Sequence, residues 1–266
     1  YIEGLVEAEK RLGDSWLARL TGLGRKANRL VNISAFLARP SARVRAAYDQ
    51  VPTDVALLLR EAGVEFGYLY EDDLYTGALT YDLGADEVVT EHAARVHEVL
   101  KKHGVKTVIT IDPHTTNMLR SVYPKLLSGY DIHVKTYLEV LDEALAGQEL
   151  VPKSDLALEL AVHDPCVFAR YEGIVEEPRR LLAAAGITVA EPEKSGRMTW
   201  CCGGPVESLY PEKAHNNAIK RVEQLGQAAT EVVTMCPMCL INLRNAATPD
   251  IALNDLSHYL KRAFVA

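Results

Sequence analysis

Several features that are common in proteins of this size are missing from the sequence. No run of about 18 apolar residues occurs, so no transmembrane helix is predicted. Residues 1–15 are acidic and lack the apolar stretch of a signal peptide. No phosphate-binding loop, dinucleotide fingerprint or Ser-His-Asp pattern stands out. The formal net charge of −7 argues against nucleic acid as a main partner. These absences favour a cytoplasmic protein without a nucleotide cofactor site of its own.

Cysteine is absent from residues 1–165 and then concentrated in a short part of the chain. The five cysteines are Cys166, Cys201, Cys202, Cys236 and Cys239. Clustered thiols at short spacings are typical of a metal or metal-cluster site. With no export signal, a reducing cytoplasm is the expected setting, where such thiols favour metal binding over disulfides.

The adjacent pair Cys201-Cys202 bears on which metal is bound. A single tetrahedral zinc takes four ligands, and two thiolates from neighbouring residues supply two of them awkwardly. A cluster of several irons spreads its ligand positions, so neighbouring thiolates reach different irons. Five thiolates are also one more than an ordinary cubane requires. The count favours an iron–sulfur cluster of unusual ligation, or a four-ligand cluster with one spare thiol.

From about residue 50, helical patterns alternate with short apolar runs. The predicted helices are Asp54–Ala62, Glu87–His103, Glu177–Ala184 and Glu212–Leu225. The predicted strands are Val64–Leu69, Thr107–Ile111, Ile187–Val189 and Glu231–Met235. This alternation predicts an α/β fold with mainly parallel sheets. Cys236 then directly follows a strand, and Cys239 lies one turn into the next helix, whose N-terminus lowers thiol pKa values.

An internal repeat divides the chain into two related α/β halves. The segment from Thr107 to Thr115 mirrors the segment from Glu231 to Cys239, and Tyr75-Thr76-Gly77 mirrors Cys201-Cys202-Gly203. The first half therefore has Tyr75, Thr76, Asp112 and Thr115 where the second has thiols. The predicted domains are a basic helical arm (1–47), a half without cysteines (48–150) and a half that carries the site (151–266).

The predicted arm is basic over most of its length. Between Lys10 and Arg45 there are nine Lys or Arg residues and one acidic residue, Asp14. Two interpretations remain open: a helical arm that packs on its own domain, or a docking arm for a partner subunit or an anionic membrane surface.

The spacing Cys166–x34–Cys201-Cys202-Gly203–x32–Cys236-x-x-Cys239 resembles that of the cysteine-rich CCG-domain family. Members include the B/D-type subunits of heterodisulfide reductases and the iron–sulfur subunits of anaerobic glycerol-3-phosphate, glycolate and lactate dehydrogenases. The local segments His163-Asp164-Pro165-Cys166 and Trp200-Cys201-Cys202-Gly203-Gly204 fit as well. The resemblance covers roughly residues 48–258. Family members typically carry two such motifs in tandem, which agrees with the internal repeat.

The resemblance implies a [4Fe-4S] cluster, cubane or non-cubane, held by Cys166, Cys201, Cys202, Cys236 and Cys239. It implies an oxidoreductase subunit that passes electrons between a flavin or iron–sulfur partner and a quinone or disulfide acceptor. A membrane quinone-reactive subunit would then dock through residues 10–45, with the protein peripheral at the inner face of the cytoplasmic membrane. The first motif has no cysteine, so a single-cluster subunit is expected instead of a two-cluster disulfide reductase. The alternatives are a structural zinc subunit and direct disulfide reduction at the cluster.

Other polar residues have two interpretations each. Asp112 and His114, with Asp72, Asp73 and His92, could form an oxygen and nitrogen metal site, or Asp112 could simply cap the following helix. His163 could donate a hydrogen bond to a cluster sulfur or carry a proton, or it could stabilise a turn. The three arginines Arg170, Arg179 and Arg180 could offset cluster charge, or they could be exposed helix charges.

Overall fold

The computed structural model describes residues 42–204, 207 and 209–265. Apart from the start of the first helix, the predicted basic arm lies outside these residues. The helices are α1 (Ala42–Glu61), α2 (Ala78–Asp82), α3 (Asp86–Lys102), α4 (Pro113–Asn117), α5 (Tyr123–Leu126), α6 (Tyr137–Ala146), α7 (Glu176–Ala184), α8 (Pro211–Ala228), α9 (Pro237–Ala246) and α10 (Leu256–Phe264). The strands are β1 (Thr107–Thr110), β2 (His133–Thr136), β3 (Leu158–His163), β4 (Ile187–Val189), β5 (Glu231–Thr234) and β6 (Ala252–Asp255). Two π-helical segments, Met118–Val122 and Val167–Glu172, follow α4 and β3.

A four-stranded parallel sheet carries the second half of the chain, in the order β4-β3-β5-β6. β3 and β5 lie at its centre, and their last residues His163 and Thr234 are register partners. Val232, Val233 and the apolar residues of β3 are almost fully buried, because helices cover both faces of a parallel sheet. The carboxyl ends of β3 and β5 therefore meet at one edge.

The first half has a smaller sheet, in which β1 and β2 pair in parallel from Thr107↔His133 to Thr110↔Thr136. The order strand, helix, strand, helix is the same as in the segment from β5 to α10. Each half has its own group of buried apolar residues. In the first half these include Val89, Ala93 and Tyr123. The larger group extends from α1 and α6 to β3, α7 and α10.

The predicted α/β architecture with parallel sheets is confirmed. The predicted strand Val64–Leu69 is wrong, because those residues form no strand and lead into a single 3₁₀ turn at Tyr70–Asp72. The domain boundaries stay predictions; α1 runs through residue 47 without a break.

Within the described residues, no helix combines the length and the apolarity that a membrane crossing requires.

Candidate metal centre

Cys236 and Cys239 lie at the junction of β5 and α9. Cys236 is the N-cap residue of α9 and has an extended backbone, and Pro237 takes the first helical position. Proline suits that position because its missing N–H would have no helical partner. Cys239 follows one turn later, and both thiols are buried. The positive end of the helix dipole favours thiolate at this place.

Cys166 follows the neighbouring strand β3 and begins the π-helical segment Val167–Glu172. Because β3 pairs with β5, the loops after the two strands start side by side. The parallel sheet thus brings Cys166 to the edge at which Cys236 lies. Cys166 itself is partly exposed.

The pair Cys201-Cys202 comes from the loop that precedes α8. The Sγ atoms of Cys201 and Cys166 are 4.0 Å apart. The N–H groups of Gly203 and Gly204 donate to the Sγ atoms of Cys201 and Cys202 over 3.3 and 3.4 Å. Gly203 has φ +86°, and a Cβ there would lie 2.5 Å from the carbonyl oxygen of Ala214. Glycine is therefore required for this close approach.

One face of α8 holds this loop in place. Ala214, Asn217 and Arg221 are spaced at i, i+3 and i+7, so they share one side of the helix. Ala214 packs on Gly203, and the amide of Asn217 donates to the carbonyl oxygen of Cys201. The same amide accepts from the Trp200 indole N–H over 2.8 Å. The backbone of the cysteine pair is thus fixed against a rigid helix.

The five thiols interact in a continuous chain. Cys166 contacts Cys201, Cys201 contacts Cys202, Cys202 contacts Cys239, and Cys239 contacts Cys236. The hydrogen bond between Cys166 and Cys201 raises the pKa of the Cys166 thiol and, with a second from Cys202, lowers that of Cys201. Hydrogen bonding from Cys239 lowers the pKa of Cys236 to about 6, whereas those of Cys202 and Cys239 are raised. Only some of these thiols can ionise together unless a cation offsets their charge.

This donor set fits a cluster of soft metal ions. Thiolates select iron–sulfur clusters and zinc, and here more than four sulfurs converge. A ring nitrogen of His163 and the Sγ atoms of Cys202 and Cys239 lie within 4.8 Å of one another. Nε2 of His163 and Nε2 of His114 are buried without a hydrogen-bond partner in the described residues. Buried polar atoms normally have a partner, so both nitrogens point to a group that the protein atoms do not supply.

The surroundings of His163 keep its ring neutral. Burial, with the charge of Arg221, lowers the pKa of His163 to about 3. Nε of Arg221 donates to Nδ1 of His163 over 3.0 Å. His163 is thus held by a guanidinium, which the turn-stabilising interpretation did not include.

His114 links the two halves. It lies in α4 beside Asp112 and Asp82 of the first half and interacts with the Cys236 thiol of the second. Burial opposes its protonation, but Cys236 and the two carboxylates outweigh this and raise the pKa of His114 to about 9. Asp112 accepts from the Thr115 N–H over 2.9 Å, so its predicted helix-capping role is confirmed.

The structure separates the other first-half candidates from His114. Asp72 bonds to Nε2 of His103 over 2.7 Å, and Asp73 interacts with Tyr68. His92 contacts the carbonyl oxygen of Tyr75. Among the described residues, the oxygen and nitrogen metal site considered for this half is not assembled.

The three candidate arginines have different roles. Arg180 is exposed and paired with Asp142, as expected for a surface charge. Arg179 makes two bonds to the buried Asp164, whose carboxylate also accepts from the Gly196 N–H over 2.7 Å. Arg170 donates to the carbonyl oxygens of Arg197 and Thr199. Arg170 and Arg179 therefore fix the loop that leads to the cysteine pair.

Sequence reasoning missed Arg221 and the contact between His114 and Cys236. Arg221 is fully buried, although its position in an amphipathic helix gives no sign of this. The signal that was present is the i, i+3, i+7 spacing of Ala214, Asn217 and Arg221, which places a cation on the face that meets the glycine-rich turn.

Comparisons with known proteins agree with this geometry. Residues 160–244 match the family described as CCG, cysteine-rich domain. The chain is 32% identical over 203 residues to the EtfAB:quinone oxidoreductase of Syntrophomonas wolfei, an alignment covering 73% of this chain and 28% of that protein. It is 29% identical over 215 residues to the probable iron-sulfur-binding oxidoreductase FadF of Bacillus subtilis, covering 79% and 30%.

A third relative belongs to the dihydromethanophenazine:CoB–CoM heterodisulfide reductase of Methanosarcina barkeri, of which it is one polypeptide. It is 26% identical over 235 residues, which cover 82% of this chain and 56% of that protein. The chain thus spans less than a third of the length of the first two relatives. The resemblance inferred from the cysteine spacing is confirmed.

Proposed function

We propose that this chain, whose residues 160–244 match the cysteine-rich CCG domain, is an iron–sulfur electron-transfer subunit, or portion of one, in a heterodisulfide-reductase-like oxidoreductase. Cys166, Cys201, Cys202, Cys236 and Cys239 hold a [4Fe-4S] cluster, cubane or non-cubane. The cluster accepts and passes single electrons.

The observation that carries the proposal is the convergence of the five thiols on one edge of the sheet. Three of them, Cys202, Cys236 and Cys239, are buried, and Cys166 and Cys201 are partly exposed. The two glycine N–H groups that donate to sulfur suit a cluster ligand, because such bonds stabilise negative charge on sulfur. A lone tetrahedral zinc would leave at least one of these thiols unused.

The residues of the chain have separable tasks. The cysteines bind, and Gly203 and Asn217 fix the loop from which two of them extend. The bound cluster would supply one-electron redox chemistry. The buried thiols exclude water from one side of the site, whereas Cys166 and Cys201 leave the other side accessible. An electron donor or acceptor is therefore expected to approach from the side of Cys166 and Cys201.

The proposed partner is a flavin- or iron–sulfur-containing redox subunit or domain. The relatives named as an EtfAB:quinone oxidoreductase and a heterodisulfide reductase polypeptide support this class of partner. A membrane quinone-reactive partner, docked through residues 10–45, remains part of the proposal. The first-half site lacks thiols, so a second cluster in this chain is not proposed.

Anaerobic purification followed by iron and sulfide analysis and EPR tests the proposal. We expect about four irons and four acid-labile sulfides for each chain, with an EPR signal in one redox state. Stoichiometric zinc without iron in the same preparation would contradict it and favour the structural zinc alternative. Reoxidation of the reduced cluster by an added disulfide, without a partner protein, would favour direct disulfide reduction over a relay.

A further inference from the structure

Arg221 is a fully buried guanidinium next to the cysteine site. Its Nη1 donates to the carbonyl oxygen of Lys194 over 2.8 Å and to the Gln224 amide oxygen over 3.1 Å. Its Nε donates to Nδ1 of His163. Within the described part of the chain, no carboxylate forms an ion pair with it. Three of its contacts thus go to neutral acceptors, which is an unusual setting for a buried charge.

The bond to Arg221 decides the tautomer of His163. A guanidinium has only donors, so Nδ1 of His163 must be the acceptor. In a neutral imidazole the other nitrogen then carries the hydrogen. Nε2–H of His163 is therefore a donor, and it is buried without an acceptor among the described residues. A donor in this position is costly to leave unpaired, by about 1–3 kcal/mol.

Sulfur is the acceptor that the surroundings offer. His163 lies at the end of β3, three residues before Cys166, and one of its ring nitrogens is within 4.8 Å of the Sγ atoms of Cys202 and Cys239. A nitrogen that carries a hydrogen has no lone pair for a metal ion. The ring therefore reaches this centre as a hydrogen-bond donor and not as a ligand.

We propose that Nε2–H of His163 donates a hydrogen bond to a sulfur of the cysteine-held cluster, and that Arg221 is the positioning residue that fixes the donor tautomer. The inference rests on the proposed function. Hydrogen bonds to cluster sulfurs and nearby positive charge both favour the reduced, more negative state. Together the two residues raise the reduction potential of the cluster.

Two substitutions of His163 separate the donor from the packing of the ring. In His163→Asn the amide oxygen can still accept from Arg221, but the side chain is too short to reach the sulfur. In His163→Gln the amide N–H₂ can take the place of Nε2–H. An EPR-monitored redox titration of the cluster-loaded protein gives the potential of each. Iron analysis and circular dichroism show whether cluster and fold are retained.

We expect His163→Asn to make reduction at least tenfold less favourable, a fall of about 59 mV for a one-electron couple. His163→Gln should stay within a third of that shift. Arg221→Lys keeps the charge but loses the fork that holds Nδ1, so an intermediate fall is expected. Arg180→Gln, which removes an exposed charge paired with Asp142, is the matched control and should leave the potential unchanged.

Two results would overturn the inference. One is an unchanged potential in His163→Asn with full iron content, which would leave His163 a structural role. The other is loss of iron in both His163 variants, which would make His163 a ligand. Neither touches the proposed function, whose failure would appear as wild-type protein without iron. An exchangeable proton coupled to the cluster in ENDOR spectra, absent from His163→Asn, is the supporting spectroscopic result.

Discussion

The two halves of this chain repeat one local design with different chemistry. In each half a four-residue strand leads into a helix that begins with proline, at Pro113 after β1 and at Pro237 after β5. In each half the next strand pairs in parallel with the first. The residue before the proline is Asp112 in the first half and Cys236 in the second. The same backbone thus presents either a carboxylate or a thiol at the edge of a sheet.

The difference lies in what that side chain contacts. Asp112 accepts a hydrogen bond from the backbone N–H of Thr115 and so caps its own helix. Cys236 makes no such bond, and its thiol is directed to Cys239 and His114 instead. A side chain that satisfies its own helix is not available for a metal. The comparison therefore shows how one turn can serve the fold in one half and the site in the other.

The glycine after each motif extends the parallel. Gly77 and Gly203 have φ +82° and +86°, which is the left-handed region that favours glycine. A Cβ at Gly77 would contact only the His92 ring at 3.3 Å, whereas one at Gly203 would clash with the Ala214 backbone. The turn is common to both halves, but only the second is pressed against a helix.

The largest expected effect is loss of the cluster in Cys236→Ser. The hydroxyl is a poorer ligand for iron than a thiolate, so most of the iron and sulfide should be lost. Asp112→Asn at the equivalent position keeps a capping oxygen and should leave the iron content unchanged. Iron analysis of both proteins, purified without oxygen, checks this. Full iron with an unaltered EPR signal in Cys236→Ser would show that the two halves are not divided as proposed.

Gly203→Ala and Gly77→Ala sharpen the comparison of the two turns. Gly203→Ala should cost about 3 kcal/mol of unfolding free energy, because left-handed strain adds to overpacking against α8. Gly77→Ala should cost about 1 kcal/mol, from the strain alone. Denaturant titration under nitrogen measures both. Equal losses would mean that the close approach to Ala214 carries no energetic weight.

The helix starts after β6 and β2 should respond to pH in opposite directions. Burial raises the pKa of Asp255 to about 6, and hydrogen bonds from Ser257 only partly oppose this. A folded pKa above the unfolded 3.8 gives stability that is present at low pH and lost as pH rises towards 6, by roughly 2 kcal/mol. For Glu139, burial acts upward, but Arg120 and Thr136 outweigh it and lower the pKa, so its contribution is lost as pH falls below 4.5.

Thermal midpoints between pH 4 and pH 7 test this pair. The variant Asp255→Asn should remove the decline on raising the pH, and Glu139→Gln should remove the gain. A wild-type midpoint that changes in the same way in both variants would contradict the assignment of opposite signs.

The smallest effect is expected for Asp112→Ala. Loss of the N-cap bond to Thr115 should cost about 1 kcal/mol of stability. The iron content should not change, because Asp112 belongs to the half without thiols. Iron loss in this variant would show that the first half contributes to the cluster site, through His114 or directly.

The cysteine site was the most predictable part of the molecule. The spacing predicts that Cys166, Cys201, Cys202, Cys236 and Cys239 converge, and the strand and helix on either side of Cys236 follow from local pattern alone. The strand expected at Val64–Leu69 fails because an apolar run becomes a strand only where a partner strand is available. The short strands β2 and β6 were missed for the converse reason, since pairing and not composition defines them.

The contacts around the site were beyond sequence reasoning. His114 and Cys236 are separated by most of the chain, and no local signal joins them. Arg221 has the residue type of an exposed helix position, and its burial depends on Lys194, Gln224 and His163, which three other segments or turns supply. Such contacts arise from tertiary packing, which a single sequence does not specify.

The uneven burial of the thiols has a consequence for damage by air. Cys166 and Cys201 are the two partly exposed sulfurs, and their Sγ atoms are 4.0 Å apart. A disulfide needs about 2.05 Å, so a small side-chain rotation would join them once metal is lost. Oxidation should therefore begin at this pair and leave Cys202, Cys236 and Cys239 reduced. A protein inactivated in this way would keep most of its ligands and recover when a reductant reopens one bond.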